Sequence, residues 1–169
     1  MLETTRLILR EMTPADLDFM AEMLAHPEVM RYYPKLHTRD EARDWIERQM
    51  RRYREDGYGP WLVMSKATGE PIGQVGLAEQ EVDGARETEV GYILHRPLWG
   101  RGYATEAAKA CLDYAEEIGK TRIVALIRPV NEPSMRVAAR LGMVFEKLSD
   151  FKGLPHNVMV AALPRVGCA

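Results

Sequence analysis

The sequence is short of cysteine, of long apolar runs and of any excess of one charge. Its 169 residues hold two cysteines, Cys111 and Cys168, too few for a disulfide framework or a thiolate metal cluster. Cys111 falls on an apolar helical stripe and reads as a small buried hydrophobe, while Cys168 stands in a short tail expected to be loose. No window approaches 18 uncharged apolar residues, which excludes a transmembrane helix, and Met1 to Arg6 has no apolar stretch of signal-peptide length. With so little cysteine, these absences point to a reducing, cytoplasmic setting. The 23 Lys and Arg stand against 25 Asp and Glu, a net charge of -2, so the electrostatics call for neither nucleic acid nor membrane as a partner. There is no internal repeat, no low-complexity run and no Ser/Gly linker. The length is that of one domain, residues 1–169 with a core at 5–163 and a short C-terminal tail.

What is there is an alternation of strand and helix patterns. Leu7 and Leu9 alternate with Arg6, Ile8 and Arg10 as a half-buried first strand. Thr13 is the N-cap and Pro14 the first residue of a helix whose stripe is Leu17, Met20 and Leu24. Thr38 and Glu41 form a capping box before a second helix with Ala42, Trp45, Ile46, Met50 and Tyr53 on its apolar face. Its other face carries Arg43, Glu47, Arg48, Arg51 and Arg54. Asp40, Asp44, Glu55 and Asp56 interleave so closely that this reads as a solvated face, not a basic patch.

Strands are expected at 61–64 and 72–77, joined by the turn at 67–70. Gly73 and Gly76 suggest a bulge or a close backbone approach in the second of them. A turn at Asp83-Gly84 leads to a strand over 88–95. A helix over 102–118, a strand over 123–127, a short helix ending at Gly142 and closing strands at 143–148 and 158–163 follow. Hairpins first, then one strand-helix-strand crossover, give an α+β fold with a mixed sheet.

The stretch Glu89 to Ala107 carries chemistry. A strand enters a loop holding Gly100 and Gly102, and the loop opens directly into a helix with Ala104, Ala107, Ala108, Cys111, Leu112 and Ala115 on one face. Unpaired N–H groups at such a helix start, flanked by small residues, suit a diphosphate. Gly102 is followed by Tyr103-Ala104, not by the Lys-Ser/Thr of a Walker loop. A dinucleotide fingerprint starting at Gly100 would need glycine at Thr105. A nucleotide-binding protein is therefore remote, although a glycine turn that only packs a helix on a sheet would look the same.

The segment Trp99-Gly-Arg-Gly-Tyr-Ala-Thr-Glu-Ala107 resembles the GNAT superfamily of acyl-CoA-dependent N-acetyltransferases, whose signature is Gln/Arg-x-x-Gly-x-Gly/Ala. Gly102 and Ala104 fill the last two places, and Trp99 stands where Gln or Arg is usual. The branch it is similar to is that of the ribosomal-protein (alanine/serine) N-terminal acetyltransferases. Thr5 to Arg10, His26 to Tyr33, and Asn131 to Ser134 leading to Leu141-Gly142-Met143 agree with that branch, over most of the chain.

The resemblance implies a mostly antiparallel twisted sheet of six to seven strands flanked by about four helices. It implies acetyl-CoA as co-substrate, no metal, an amine acceptor (a protein N-terminus or a small molecule), and room for a homodimer. Tyr92, Ile93 and Leu94 would run beside the pantetheine. Gly100, Arg101, Gly102, Tyr103, Ala104 and Thr105 would hold the pyrophosphate, and Asn131 would orient the pantetheine amide or a water.

Glu89 is the expected base, near Glu79 and Glu87, with Glu87 on its own strand face so that a carboxylate pair could raise one pKa. His95 is a second candidate. The tyrosine that many family members carry seven residues after the asparagine is replaced by Ala138; the branch this sequence resembles uses a serine three residues after the asparagine instead, so the resemblance implies Ser134 as the acid. Asn131 as a helix cap and Ser134 as a first-turn residue are the plainer alternatives. Tyr32, Tyr33 and Trp61 would line the acceptor slot or belong to the core, with His26 to His37 and the hairpin after Ile72 around them. A non-catalytic acyl-CoA-binding or regulatory module of the same fold is the competing reading.

Overall fold

The computed structural model describes residues 1–164; Cys168 and the rest of the tail expected to be loose lie outside the described residues. Eight strands form one sheet in the order β1-β2-β3-β4-β5-β6-β8-β7. They are β1 (Leu2–Glu3), β2 (Leu7–Arg10), β3 (Pro60–Ser65), β4 (Pro71–Val82), β5 (Ala85–Leu94), β6 (Arg122–Ile127), β7 (Val144–Phe151) and β8 (Leu154–Ala162). The helices are α1 (Leu17–Ala25), α2 (Arg39–Glu55), α3 (Tyr103–Glu117) and α4 (Glu132–Arg140). All strand pairs are antiparallel except β5 with β6. The α+β class and the mixed sheet are as expected; the strand beyond the expected seven is the two-residue β1.

Local chemistry sets the boundaries. Thr13 caps a single 3-10 turn, Pro14–Asp16, before α1 begins, because Asp16 accepts from the Thr13 N–H at 2.8 Å and pairs with Arg10 at 2.7 Å. Thr38 accepts from the Glu41 N–H and Glu41 accepts from the Thr38 N–H, the reciprocal box that opens α2. Two hairpins are longer than the sequence pattern suggested. β4 and β5 pair through ten positions from Gly73–Leu94 to Val82–Ala85, around Asp83 and Gly84 at φ 51° and 77°. β7 and β8 close around Lys152-Gly153 at φ 54° and 78°. Such mirror-image turns match strand twist, but lysine is not their usual first residue. At Gly73 a Cβ would lie 2.3 Å from the Ile93 carbonyl oxygen, so glycine there permits the close approach of β4 to β5.

The sheet separates two layers. Alternation puts Gln74, Gly76, Ala78, Gln80, Glu89 and Ile93 on one face and Val75, Leu77, Val90, Tyr92 and Leu94 on the other. The first face receives α1 and α2: Trp45 of α2 donates to Gln74 at 2.6 Å, and Phe19 of α1 meets the ring of His95 edge-on. The second receives α3 and α4, with Trp61 packed edge-on against Tyr114 of α3 and Tyr92 bonded to Ser134 of α4. Leu7, Leu9, Met20, Met23, Leu24 and Ile123 are fully buried in this core, each contributing about 1.5–3 kcal/mol. Cys111 is buried with them, and burial pushes its thiol up, as befits a packing residue.

Candidate active site

The parallel strands β5 and β6 meet as partners only at Glu89–Val124. Beyond that point β6 continues to pair with β8, and Val90 to Leu94 have no partner on the β6 side. The sheet therefore opens, and a cleft of about 1400 Å³ passes through the opening. That is larger than the usual pocket for one small ligand, about 300–1,000 Å³, and side chains of both sheet faces reach it.

On the α3 face, the cleft is walled by Leu94, Trp99 and Gly100 to Glu106. Gly100 and Gly102 adopt φ 75° and 78°, which a β-branched residue reaches only with strain. A Cβ at Gly100 would meet nothing within 4 Å, and one at Gly102 only the end of Arg6 at 3.5 Å. These glycines are thus not packing a helix onto the sheet; they leave open space above the backbone. Helix α3 has no side-chain N-cap, so no side chain takes up its first N–H groups, and residues 103–106 line the cleft. This is the donor set a diphosphate fits, and the residues present suit it.

The helix start is held from behind. Glu106 accepts from Thr4 Oγ1 at 2.5 Å, from the Arg6 N–H at 3.0 Å and from Arg6 Nε at 2.6 Å, and these bonds keep its carboxyl below the usual range despite partial burial. Arg6 lies over the Tyr103 ring and donates to the Arg101 carbonyl. Trp99, in the place usually taken by Gln or Arg, donates from Nε1 to the Leu94 carbonyl at 2.8 Å and closes the end of β5. The side chain of Arg101 is exposed at the cleft, where it donates only to the Pro97 carbonyl, at 3.4 Å.

At the junction of the two faces stand Glu89, Tyr92 and Ser134. Burial pushes the Glu89 carboxyl above its ordinary range, against the opposing hydrogen bond from Gln80 Nε2 at 2.7 Å. The carboxylate pair expected there does not form. Glu87 shares the strand face but is taken by Arg122 at 3.1 Å. Glu79 points to the other face, bonded to Tyr58, Thr88, Arg86 and Lys120, and those bonds outweigh burial and hold it down at about 2. The raised pKa of Glu89 comes from burial, not from like charge. His95 lies outside the cleft, 3.2 Å from Glu22 and against Phe19, and is not placed to serve as the base.

Asn131 caps α4, its Oδ1 accepting from the Ser134 N–H at 3.2 Å. Ser134 Oγ donates to Tyr92 Oη at 3.1 Å, and Tyr92 Oη donates to the Ser134 carbonyl at 2.8 Å. Burial pushes the Tyr92 phenol up to about 12. A phenol thus stands beside Ser134 although position 138 is alanine, which is buried. Sequence reading assigned Tyr92 only its backbone. The missed signal is that alternation turns its side chain away from Glu89 toward α4.

The far wall comes from scattered segments. The turn-rich segment His26 to His37 brings Tyr32 and Tyr33 to the cleft; Tyr33 is 39% exposed, with desolvation and the Glu89 charge raising its phenol. Trp61 is core, 4% exposed, and does not line the cleft. Arg48 and Arg52 of α2, Arg128 at the end of β6 and Lys152 of the last turn complete this wall. Arg48 is exposed, as expected of a solvated face, and its guanidinium lies over the Trp45 ring at 5.0 Å at the edge of the cleft. Among the described residues no three His, Cys, Asp or Glu side chains group to hold a metal, and no helix is long and apolar enough to cross a membrane.

Comparison with known proteins agrees with this geometry. The model of an acetyltransferase (GNAT) domain matches residues 6–144. The uncharacterized protein YkkB of Bacillus subtilis (strain 168) is 39% identical over 150 residues, covering 86% of each chain. The uncharacterized N-acetyltransferase p20 of Bacillus licheniformis is 33% identical over 150 residues, 87% of this chain and 84% of its own. The solved ribosomal L7/L12 alpha-N-protein acetyltransferase RimL, in complex with coenzyme A, superposes with a TM-score of 0.77 over 95% of this chain and 96% of its own. At 18% identity that last likeness is one of fold.

Proposed function

The chain belongs to the GNAT family of N-acetyltransferases, which use acetyl-CoA, and from that premise we propose that this single domain transfers acetyl to a primary amine by direct attack in a ternary complex. The observation that carries the reading is the opening of the sheet beside Glu89. It lets a backbone cradle on one face and a buried carboxylate on the other share one cleft.

Gly100 to Thr105 would hold the pyrophosphate through their N–H groups, with Arg101 as a solvent-side cation. On the side away from β4, where Tyr92, Ile93 and Leu94 have no strand partner, their main chain would hold the pantetheine, and Asn131 would orient its amide. The thioester supplies an electrophilic carbon and a thiolate leaving group. Glu89 takes a proton from the acceptor ammonium, freeing the nitrogen lone pair, and the desolvation that raises its pKa makes it a stronger base than an ordinary carboxylate.

The sulfur side is decided by magnitude. A phenol at about 12 is a weaker acid than a thiol near 8.5, so Tyr92 and Ser134 act by donating hydrogen bonds to sulfur as its charge grows, not by full proton transfer. Both hydroxyls sit at the start of α4, whose dipole favours the same charge. With little cysteine and no apolar spanning helix among the described residues, a cytoplasmic setting fits the reading.

The test is acetyl-CoA-dependent CoA release over an amine panel, run beside thermal unfolding. Acetyl-CoA should raise Tm in proportion to the logarithm of its concentration once it exceeds Kd, and CoA release should require an amine. A Tm shift without amine-dependent release would return the non-catalytic module, and no shift at millimolar acetyl-CoA would remove the donor site.

A further inference from the structure

We propose that the amine acceptor carries an anionic group, a carboxylate or a phosphate, a few bonds from its nitrogen, and that Arg48, Arg52 and Lys152 receive it opposite Glu89. The proposal rests on the acetyl-transfer reading and names the chemistry of its second substrate.

Three cations from two distant segments converge on the acceptor side. Arg48 and Arg52 are one turn apart on α2, and Lys152 comes from the β7–β8 turn; all three line the cleft that Glu89 lines. Among the described residues none of the three has an ion-pair partner, whereas Arg39 and Arg43 of the same helix pair with Asp18 and Asp40; Arg51 and Arg54 are unpaired as well but do not line the cleft. The nearest acid to Arg48 is Asp44 on its own helix, which forms no ion pair with it. Arg128, on the same cleft, has a buried Nε without a hydrogen-bond partner.

Each cation has an anchor, although Arg48 and Lys152 are exposed. Arg52 donates to Gln49 Oε1 at 2.9 Å, and buried Gln49 is itself fixed by the Trp45 carbonyl at 2.8 Å. Arg48 lies on the Trp45 ring, and Lys152 lies over Phe151 at 4.9 Å. The arrangement is self-repelling: like charges four residues apart on a helix destabilise it, and Lys152 adds a third. Burial and the neighbouring arginines hold the Lys152 ammonium below its usual range, against the attraction of Glu89. Such a group lacks a counter-charge, and a ligand anion would supply it.

Of the carboxylates lining this end, Glu28 is taken by Arg96, which leaves Glu89, bonded to Gln80, as a single negative charge facing three cations. Negative at its depth and positive at its mouth, the acceptor site matches a zwitterion. A polycationic amine would meet three uncompensated charges on its way to Glu89.

The experiment compares kcat/KM, per neutral amine, for matched pairs: L-serine against L-serinamide, phosphoethanolamine against ethanolamine, and the C-terminally amidated peptide Ser-Asp-Gly against amidated Ser-Asn-Gly. The anionic member of at least one pair should exceed its partner tenfold or more at low salt, and the excess should shrink as salt screens it. The pair that shows it identifies the source as free amino acid, amino phosphate or acidic peptide. K152E, an exposed turn substitution that leaves the core alone, should bring the ratio to one or below. Turnover with ratios near one, or a ratio that K152E leaves unchanged, overturns the inference while the acetyltransferase stands. Acetyl-CoA binding without release from any probe overturns both together.

Discussion

The two ends of the cleft are built from different materials. The donor end is backbone: one contiguous stretch from Leu94 to Glu106 supplies a strand end, two left-handed glycines and an uncapped helix start. The acceptor end is side chain: Tyr32 and Tyr33, Arg48 and Arg52, Arg128, Lys152 and the buried Glu89 arrive from five separate places in the sequence. A backbone site tolerates changes of residue type, as Trp99 shows by standing where Gln or Arg is usual and capping Leu94 instead. A side-chain site does not, and substrate choice belongs there.

If that contrast is right, substitutions at the two ends should separate affinity for acetyl-CoA from turnover. The largest effect is expected at the junction. Glu89→Gln keeps the shape and the bond to Gln80 but removes the base, and kcat should fall by about 10²–10⁴-fold while the acetyl-CoA shift in Tm persists. An unchanged kcat would give the proton to a water chain.

Next come the hydroxyls. Tyr92→Phe removes the phenol altogether, whereas Ser134→Ala keeps the carbonyl that anchors it, so the tyrosine change should cost more. Losses of roughly tenfold to a hundredfold in kcat are expected, and the double variant should lose less than the product of the two. Equal single losses that multiply in the double variant would mean the two hydroxyls act independently.

Gly102→Val probes the donor end alone. A branched residue at φ 78° is strained by about 1–3 kcal/mol, and its side chain fills the space left open above the loop. Kd for acetyl-CoA should rise about tenfold or more, with the fold retained by thermal unfolding. A folded variant with unchanged affinity would show that the loop is not the cradle.

The smallest effect is expected at Arg43, on the outer side of the same helix that bears Arg48. Its exposed pair with Asp40 belongs to a class worth about 0–1 kcal/mol, and Arg43→Ala should leave both substrates' KM within twofold. A large KM change there would dissolve the distinction between the two faces of α2.

The same contrast explains what the sequence disclosed. The α+β order of elements, the caps at Thr13 and Thr38, and the glycine loop are local signals carried by neighbours in the chain. They were legible because turn, cap and periodicity rules act over a few residues. Element lengths were less so: β4 runs on to Val82 and β8 begins at Leu154, because pairing across a long hairpin extends strands past their own apolar pattern.

The candidate site was legible at its donor end and obscure at the other. Glu89 could be singled out, but its partners could not. Glu79 and Glu87 looked like neighbours in charge, yet Arg86, Lys120 and Arg122 claim them, and those contacts span up to 41 positions. Tyr92 beside Ser134, and Lys152 facing α2, likewise depend on where distant strands close.

The proposed role of the open sheet is to desolvate one ionisable base, Glu89, between donor cradle and acceptor rim. Its most direct test is the acidic limb of kcat/KM against pH for the wild type and for Glu89→Gln. Only the carboxylate can accept a proton, and burial raises its pKa, so activity should rise with pH through a single ionisation above the usual glutamate value of about 4.3. In Glu89→Gln the residual activity should lack that limb. The same limb in both proteins would contradict the account.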